Sequence, residues 1–143
     1  MKIKVLNDTP ERTIAAVFDS GEEVAAGLLR IGEGQNLTAA RLSGLGALSR
    51  VVLGYFDLEK RDYREIEIDE QVEVLSLIGN FALHGPKRKV HAHIVVAKSD
   101  GSAHGGHLLK GWVRPTLEVV VVESPGFLAR KIDEGTGLPL LTM

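Results

Sequence analysis

The stretch that decides the fold is residues 90–112, which read VHAHIVVAKSDGSAHGGHLLKGW. Apolar residues run or alternate through Val90–Lys98 and again through Ser102–Trp112. Between them stands Ser99-Asp100-Gly101, whose residue types favour a tight turn. Two strand-like segments joined by so short a loop predict an antiparallel β-hairpin.

The hairpin carries histidines on a shared face. His91 and His93 are two residues apart on a strand, so both side chains emerge from the same side, about 6.6 Å apart along it. A three-residue loop closed by a left-handed glycine places His93 directly opposite His107. A two-residue loop at Asp100-Gly101 would shift the register and send His107 to the other face. A bulge at Gly105-Gly106 would also change which residue pairs with His93. Whether the three histidines meet therefore depends on the loop length and on the absence of a bulge.

Three neutral imidazoles on one face are typical of a metal site that keeps an open fourth position. We therefore predict a divalent metal at His91, His93 and His107, with Zn²⁺ first, although imidazole also suits Fe, Ni, Co or Cu. The alternative is a polar cluster in which the rings hydrogen-bond one another and backbone carbonyls. Residues that could orient a ligand or move a proton beside the site are His104, Glu118 and Ser49. A surface position is the simpler interpretation of both His104 and Glu118.

The rest of the chain reads mostly as strands, with one helix. Strands are predicted at Lys2–Asn7 and Arg12–Phe18, around a turn at 8–10, and a helix over about 21–31 begins with a capping box of Ser20 and Glu23. Later features are strands over 37–42, 51–56, 63–68, 71–83 and 116–123, a glycine-containing bend over 43–49 and a helical turn near 127–132. Runs of strands with one solid helix indicate an α+β fold, a sheet covered on one face.

Composition favours a single domain over residues 1–143. The chain is 44% hydrophobic and 25% charged, as globular domains are. Because no apolar run reaches the length of a membrane span and the N-terminus lacks a signal-like segment, we expect a cytoplasmic protein with no membrane partner. The absence of cysteine excludes thiolate ligands. A net charge of −2 gives no general surplus of cations for a DNA backbone, and Lys87-Arg88-Lys89 is expected to be a solvated loop.

Several segments taken together resemble one known family over most of the chain. In order they are GALS at 46–49, EVLSLIGN at 73–80, HAHI at 91–94, DG at 100–101, GGHL at 105–108 and TLEV at 116–119. This order and spacing resembles the plants-and-prokaryotes-conserved (PPC) domain of the stand-alone prokaryotic type, a relative of the C-terminal domain of plant AT-hook proteins. The resemblance implies a mixed, largely antiparallel sheet with flanking helices, assembled as a homotrimer. It also implies a metal or ligand site at His91, His93 and His107.

Two functions compete at this stage. The first is a trimeric module that binds a metal and a small-molecule ligand through the three histidines. The second is DNA binding or a role in transcription, which rests on family analogy alone because the chain lacks the Arg-Gly-Arg-Pro core of an AT-hook and residues 85–89 do not replace it. No general base or nucleophile is evident, so whether the protein is an enzyme is left open and no reaction is predicted.

Overall fold

The part of the chain that the structure describes folds into one mixed β-sheet and one helix. The computed structural model describes residues 1–7, of which only the backbone is described from 2 onward, 11–124 and 126–142. In chain order the elements are β1 (Lys2–Asn7), β2 (Thr13–Phe18), α1 (Val24–Gly34), β3 (Ala39–Asp57), β4 (Asp62–Ile68), β5 (Val72–His84), β6 (Lys87–Ala97), β7 (Ala103–Glu123), β8 (Ala129–Ile132) and β9 (Pro139–Thr142). The predicted turn at 8–10 lies outside the described residues.

Nine strands form the sheet within the described residues. Four of them, β3, β5, β6 and β7, pair with one another in a closed ring. The main path runs β1-β2-β7-β3-β5-β8-β9, with β4 paired to β3. Strand β6 pairs with both β5 and β7, and β3 also pairs with both of these strands. Every pairing is antiparallel except that of β5 with β8. The expected mixed, largely antiparallel α+β architecture is confirmed, with one helix where the resemblance implied several.

The core lies between the helix and the inward faces of the long strands. Buried positions alternate along β6 and β7, as expected for strands with one packed face. Helix α1 buries Val24, Leu28 and Ile31 in the same cluster as the strand residues, which confirms its predicted apolar stripe. Gly27 lets the helix lie close to the sheet, because a Cβ there would stand 2.1 Å from the Phe18 ring.

The start of the helix differs from the predicted capping box. Glu23, not Ser20, is the N-cap: its backbone is extended and its carboxylate accepts hydrogen bonds from the N–H groups of Ala25 (3.0 Å) and Ala26 (2.7 Å). The same carboxylate accepts from the Gly111 N–H at 3.1 Å. A carboxylate at this place also interacts favourably with the positive end of the helix. Glu23 therefore begins the helix and ties it to β7.

Two predicted strand breaks are wrong. The bend expected over 43–49 lies inside β3, where the pairing with β5 shifts register between Gly44 and Gly46. A Cβ on Gly46 would stand 2.4 Å from the Thr116 carbonyl oxygen, so glycine permits close approach of β7 at this shift. The break expected near Pro115 lies inside β7, because the β3–β7 register also shifts there and proline is tolerated where the ladder is interrupted.

The other predicted elements are confirmed or corrected locally. The hairpin over 51–56 and 63–68 forms between β3 and β4, with Val51 opposite Ile68. The helical turn expected near 127–132 is instead strand β8, which pairs with β5 and β9. Among the described residues, no helix has the length and apolar character needed to cross a lipid bilayer.

Candidate metal centre

Strand alternation sets the direction of the first two histidines. Ala92, Ile94 and Val96 are buried in the core, so the residues between them point away from it. His93 is exposed and His91 is partly buried. The common face predicted for this pair follows directly from the two-residue repeat of the strand.

The hairpin loop brings the third histidine to the same place. The Lys98 N–H donates to the Ser102 carbonyl at 2.9 Å, and the Gly101 N–H donates to the Lys98 carbonyl at 2.9 Å. Gly101 has φ of 81°, which lies in the left-handed region that glycine adopts at little cost. The pairing then continues without a shift to His93 opposite His107. The predicted three-residue loop and its register are confirmed, and Gly105-Gly106 adds no bulge to this ladder.

The three imidazoles form a compact triangle, hereafter the histidine cluster (His91, His93 and His107). Ring centroids are 5.0 Å apart for His91 and His93, 5.1 Å for His91 and His107, and 5.4 Å for His93 and His107. One ligand atom from each ring lies within 4.8 Å of the other two. Three nitrogen donors therefore converge on one point in space.

The cluster disfavours protonation of its own rings. The pKa of His107 is lowered to about 4, first by burial and then by the charges that His91 and His93 carry when protonated. The pKa of His91 is lowered by burial, by His93 and by the cation of Arg130. Both rings are therefore neutral at pH 7. Neutral imidazole is the form that binds a metal ion.

The separation of the His91 and His93 donors fits a small tetrahedral cation. Zn–N bonds of about 2.0–2.1 Å separate neighbouring nitrogen ligands by about 3.3 Å in a tetrahedron. The Nε2 atoms of His91 and His93 are 3.1 Å apart, a distance that also fits an N–H···N hydrogen bond between neutral rings. In addition, His107 Nδ1 is buried and has no hydrogen-bond partner within the described part of the chain. An orphaned ring nitrogen calls for an explanation, and a metal ion supplies one.

Close packing beneath the cluster depends on glycine. A Cβ on Gly79 would stand 2.4 Å from the His91 carbonyl oxygen, and one on Gly106 would stand 2.9 Å from the Gly54 carbonyl oxygen. Real Cβ atoms do not approach backbone oxygens so closely. These two glycines therefore let β5, β6, β7 and β3 come together where the imidazoles meet.

The other two histidines do not join the cluster. His104 is three residues from His107 on β7 and pairs with Val96, so it stands on the opposite face of the strand, exposed. The expected surface position of His104 agrees with this exposure, and its side chain stands away from the cluster. His84 is partly buried, and its Nδ1 lies 3.2 Å from the Arg130 carbonyl oxygen.

The two remaining candidates also lie elsewhere. Glu118 is exposed and pairs with Val17 and Leu45, on a part of β7 that β3 and β5 separate from β6. Three strand spacings amount to about 14 Å, too far to orient a ligand histidine. Ser49 donates its hydroxyl to the Trp112 carbonyl at 3.3 Å and lies five residues along β3 from Gly54, the partner of His107. The structure therefore does not bring either residue to the cluster, and Glu118 faces solvent as the simpler interpretation expected.

The structure adds three neighbours that the sequence did not reveal. The Tyr63 ring stacks at a tilt on His107, with centroids 4.9 Å apart. Asn80 pairs with His91 across β5 and β6 and accepts a hydrogen bond from the buried guanidinium of Arg130. Arg130 comes from β8, in the tail expected to hold a helical turn, so no sequence pattern placed it at the site.

Comparison with known proteins agrees with the fold. A metal-containing protein from Archaeoglobus fulgidus is 32% identical, with a TM-score of 0.84 over 99% of this chain and 97% of that one. A plant- and prokaryote-conserved protein from Pyrococcus horikoshii is 29% identical, with a TM-score of 0.86 over 99% and 95% of the two chains.

A curated relative, the bifunctional protein GlmU of a Synechococcus strain, is 33% identical over 120 residues. The match takes in 82% of this chain and only 18% of that protein's length. The model of the Plants and Prokaryotes Conserved (PCC) domain, the same domain as PPC above, matches residues 6–125. That span is most of the sequence, so the chain belongs to the PCC domain family.

Proposed function

We propose that this protein is a metal-dependent small-ligand-binding module in which His91, His93 and His107 hold one divalent cation. The observation that carries the proposal is the convergence of three imidazole donors within 4.8 Å. It is supported by the lowered pKa values of His91 and His107, which keep these rings ready to bind. The metal-containing relative from Archaeoglobus fulgidus adds weight.

Zinc is the cation we propose first. Three nitrogen ligands and an open fourth position are the arrangement of catalytic and ligand-binding zinc sites, whereas structural zinc takes four protein ligands. When bound, such an ion polarises an oxygen of a ligand or activates a water molecule. No residue of the cluster is assigned as a general base, so a reaction is not part of the proposal.

Metal analysis of the purified protein tests this assignment. After purification without chelators, or after reconstitution and removal of excess Zn²⁺, we expect about one metal ion per chain. His93→Ala should lose the ion, while His104→Ala, which removes an exposed histidine from the opposite face of the hairpin, should keep it. A wild-type protein that retains no stoichiometric metal would show that the rings only hydrogen-bond one another.

We further propose that the module works as a homotrimer. Its open sheet face, defined here as the surface carrying Val17, Leu45, Ile78, Val95 and Val120, adjoins His93. These side chains are exposed, Ile78 by 58% and Leu45 by 62%, with Glu118 between Val17 and Leu45. Exposed apolar patches mark association sites. A groove of about 530 Å³ along this face is lined by His91 and His93 as well as Val120.

Light scattering tests the assembly. A trimer has about three times the 15.5 kDa mass of the chain. Ile78→Lys should lower that mass, because a charge placed in an apolar interface costs binding energy. Arg64→Gln changes an exposed residue of β4, which pairs only with the outer part of β3, and should leave the mass unchanged. A wild-type mass of one chain would contradict the trimer.

DNA binding is the competing function, and it keeps only the family analogy behind it. The basic run 87–89 is divided in the structure: the Arg88 guanidinium donates to the Leu37 carbonyl at 3.1 Å and to Asn36 Oδ1 at 3.2 Å. Lys87 and Lys89 remain exposed. Binding to duplex DNA that weakens steeply as salt rises would establish this function, and its absence at about 50 mM salt would remove it. The cytoplasmic location stays a prediction.

A further inference from the structure

One buried cation stands beside the histidine cluster. Arg130, on β8, is 6% exposed and is the one buried charged side chain among the described residues. Its guanidinium donates to the Pro139 carbonyl through Nη1 at 3.0 Å and to Asn80 Oδ1 through Nη2. A guanidinium has five N–H groups, so these two bonds leave part of its donor capacity unused.

No negative charge in the described structure balances Arg130. None of the ion pairs formed by the described residues includes it. Its Nε is buried and has no hydrogen-bond partner in the same part of the chain. Burial of a charge without a counter-charge is costly, and native proteins normally pair such a group or use it to bind.

The uncompensated cation lines a cavity that reaches the histidine cluster. The cavity measures about 250 Å³ and is lined by Arg130, His91 and His107 together with Tyr63 and Lys89. No aspartate or glutamate is among the described residues that line it. Its formal charge is therefore positive, since Arg130 and Lys89 face no carboxylate there.

We propose that this cavity binds a small organic carboxylate, whose carboxylate group pairs with Arg130 while a neighbouring oxygen reaches the metal held by the histidine cluster. The inference deepens the proposed function and rests on it for the second of these two contacts. The first contact depends only on Arg130 and its surroundings.

The size and lining of the cavity select this class of ligand. Sites for drug-sized molecules measure about 300–1,000 Å³, so this cavity accepts a smaller molecule. Val90, Leu138 and Leu140 supply an apolar wall beside the cations. A small organic acid offers both an anionic group and an apolar group to such a lining, whereas inorganic phosphate offers only the anion. The planar guanidinium also matches the geometry of a carboxylate.

The ligand probe is lactate, with lactamide as its neutral analogue. Calorimetric titration of the zinc-loaded protein should show lactate binding at least about tenfold more tightly than lactamide, because hydrogen bonds to charged groups are the stronger kind. Arg130→Gln should weaken lactate binding by about tenfold or more and leave the zinc content unchanged. Lys131→Gln removes the same charge from the opposite face of β8, at an exposed position, and should bind within about twofold of wild type.

Nuclear magnetic resonance of the unaltered protein guards against a misfolded variant. The Arg130 Nε–H signal should shift when lactate is added and should not shift with lactamide, since only the anion engages the buried donor. Arg130→Lys keeps a positive charge without the planar fork, and we expect its lactate affinity to lie between those of wild type and Arg130→Gln.

The outcomes separate the two proposals. If the wild-type protein retains no zinc after loading but its Arg130 Nε–H signal still shifts with lactate, the metal centre is overturned and the anion site is kept. A protein with metal in which lactate and lactamide bind equally would keep the metal centre and overturn the anion site. Binding of inorganic phosphate as tightly as lactate would overturn the assignment to organic acids.

Discussion

The two faces of β6 carry opposite chemistry on alternating residues. Ala92, Ile94 and Val96 are buried in the core, while His91 and His93 stand between them on the other face. The inward residues fix the orientation of the strand, because a one-residue shift in its register would place the histidines in the apolar core. The outward residues use that orientation to meet His107. Packing on one face therefore positions chemistry on the other.

The largest effect on stability should come from the inward face. Ile94 is 1% exposed, and Ile94→Ala should lower the free energy of unfolding by about 2–5 kcal/mol through lost burial and a residual cavity. His93→Ala, at the neighbouring exposed position, should change the stability of the metal-free protein by no more than about 0.5 kcal/mol.

Chemical denaturation of both metal-free variants measures this contrast. Metal analysis is the second measurement, since His93→Ala should lose the ion and folded Ile94→Ala should retain it. Equal destabilisation by the two variants would contradict the division between a supporting face and a binding face.

The second largest effect on stability should come from acidification, through His107 on the outward face of the hairpin. The pKa of His107 is about 4 in the folded chain and about 6.5 when exposed. Between these values the unfolded state binds a proton that the folded state does not, so stability falls as pH falls from about 6.5 to about 4. For the metal-free protein, the full shift sets an upper bound of about 3–4 kcal/mol on the loss from His107, and partial exposure to solvent reduces it.

The free energy of unfolding, measured across this pH range, checks the direction of the pH dependence and its origin in His107. His107→Gln should flatten the dependence, and His104→Gln, on the opposite face, should leave it as in wild type. A wild-type protein that gains stability on acidification over this range would contradict burial of a neutral His107.

The smallest effect is expected in the loop that joins the two strands. Gly101→Ala places a side chain at φ of 81°, which should cost about 1 kcal/mol. Because the register is also held by the pairing from Ala97 with Ala103 to His93 with His107, zinc content should not change. Denaturation with metal analysis tests both points. Loss of metal in a folded Gly101→Ala protein would mean that the loop alone sets the register.

Local pattern predicted the site well where its parts lie on neighbouring strands. His93 and His107 are joined by one tight hairpin, so turn chemistry and strand alternation gave the observed pairing as one of the few possible registers. Glu118 lies away from the cluster because alternation says which face a residue takes but not how many strands separate it from a site. His104 lies away from the cluster because it stands an odd number of residues from His107.

Long-range pairing decided what the pattern missed. Strands β3 and β7 continue through Gly46 and Pro115 because each strand is held by its partner across a register shift, which local turn signals do not reveal. Arg130 reaches the cluster because β8 pairs with β5, and a single parallel contact between Leu83 and Ala129 has no signature in the sequence.

The sequence by itself determined the hairpin and the common face of His91 and His93, since these follow from the two-residue period of a strand. It left open the loop length that sets the register and brings His107 to the same face. It also determined the α+β class, through many strand-like runs and one amphipathic helix. Only the tertiary structure decided what surrounds the imidazoles. Tyr63, Asn80 and Arg130 come from three other strands, and the burial that lowers the pKa of His107 exists only when those strands close around it.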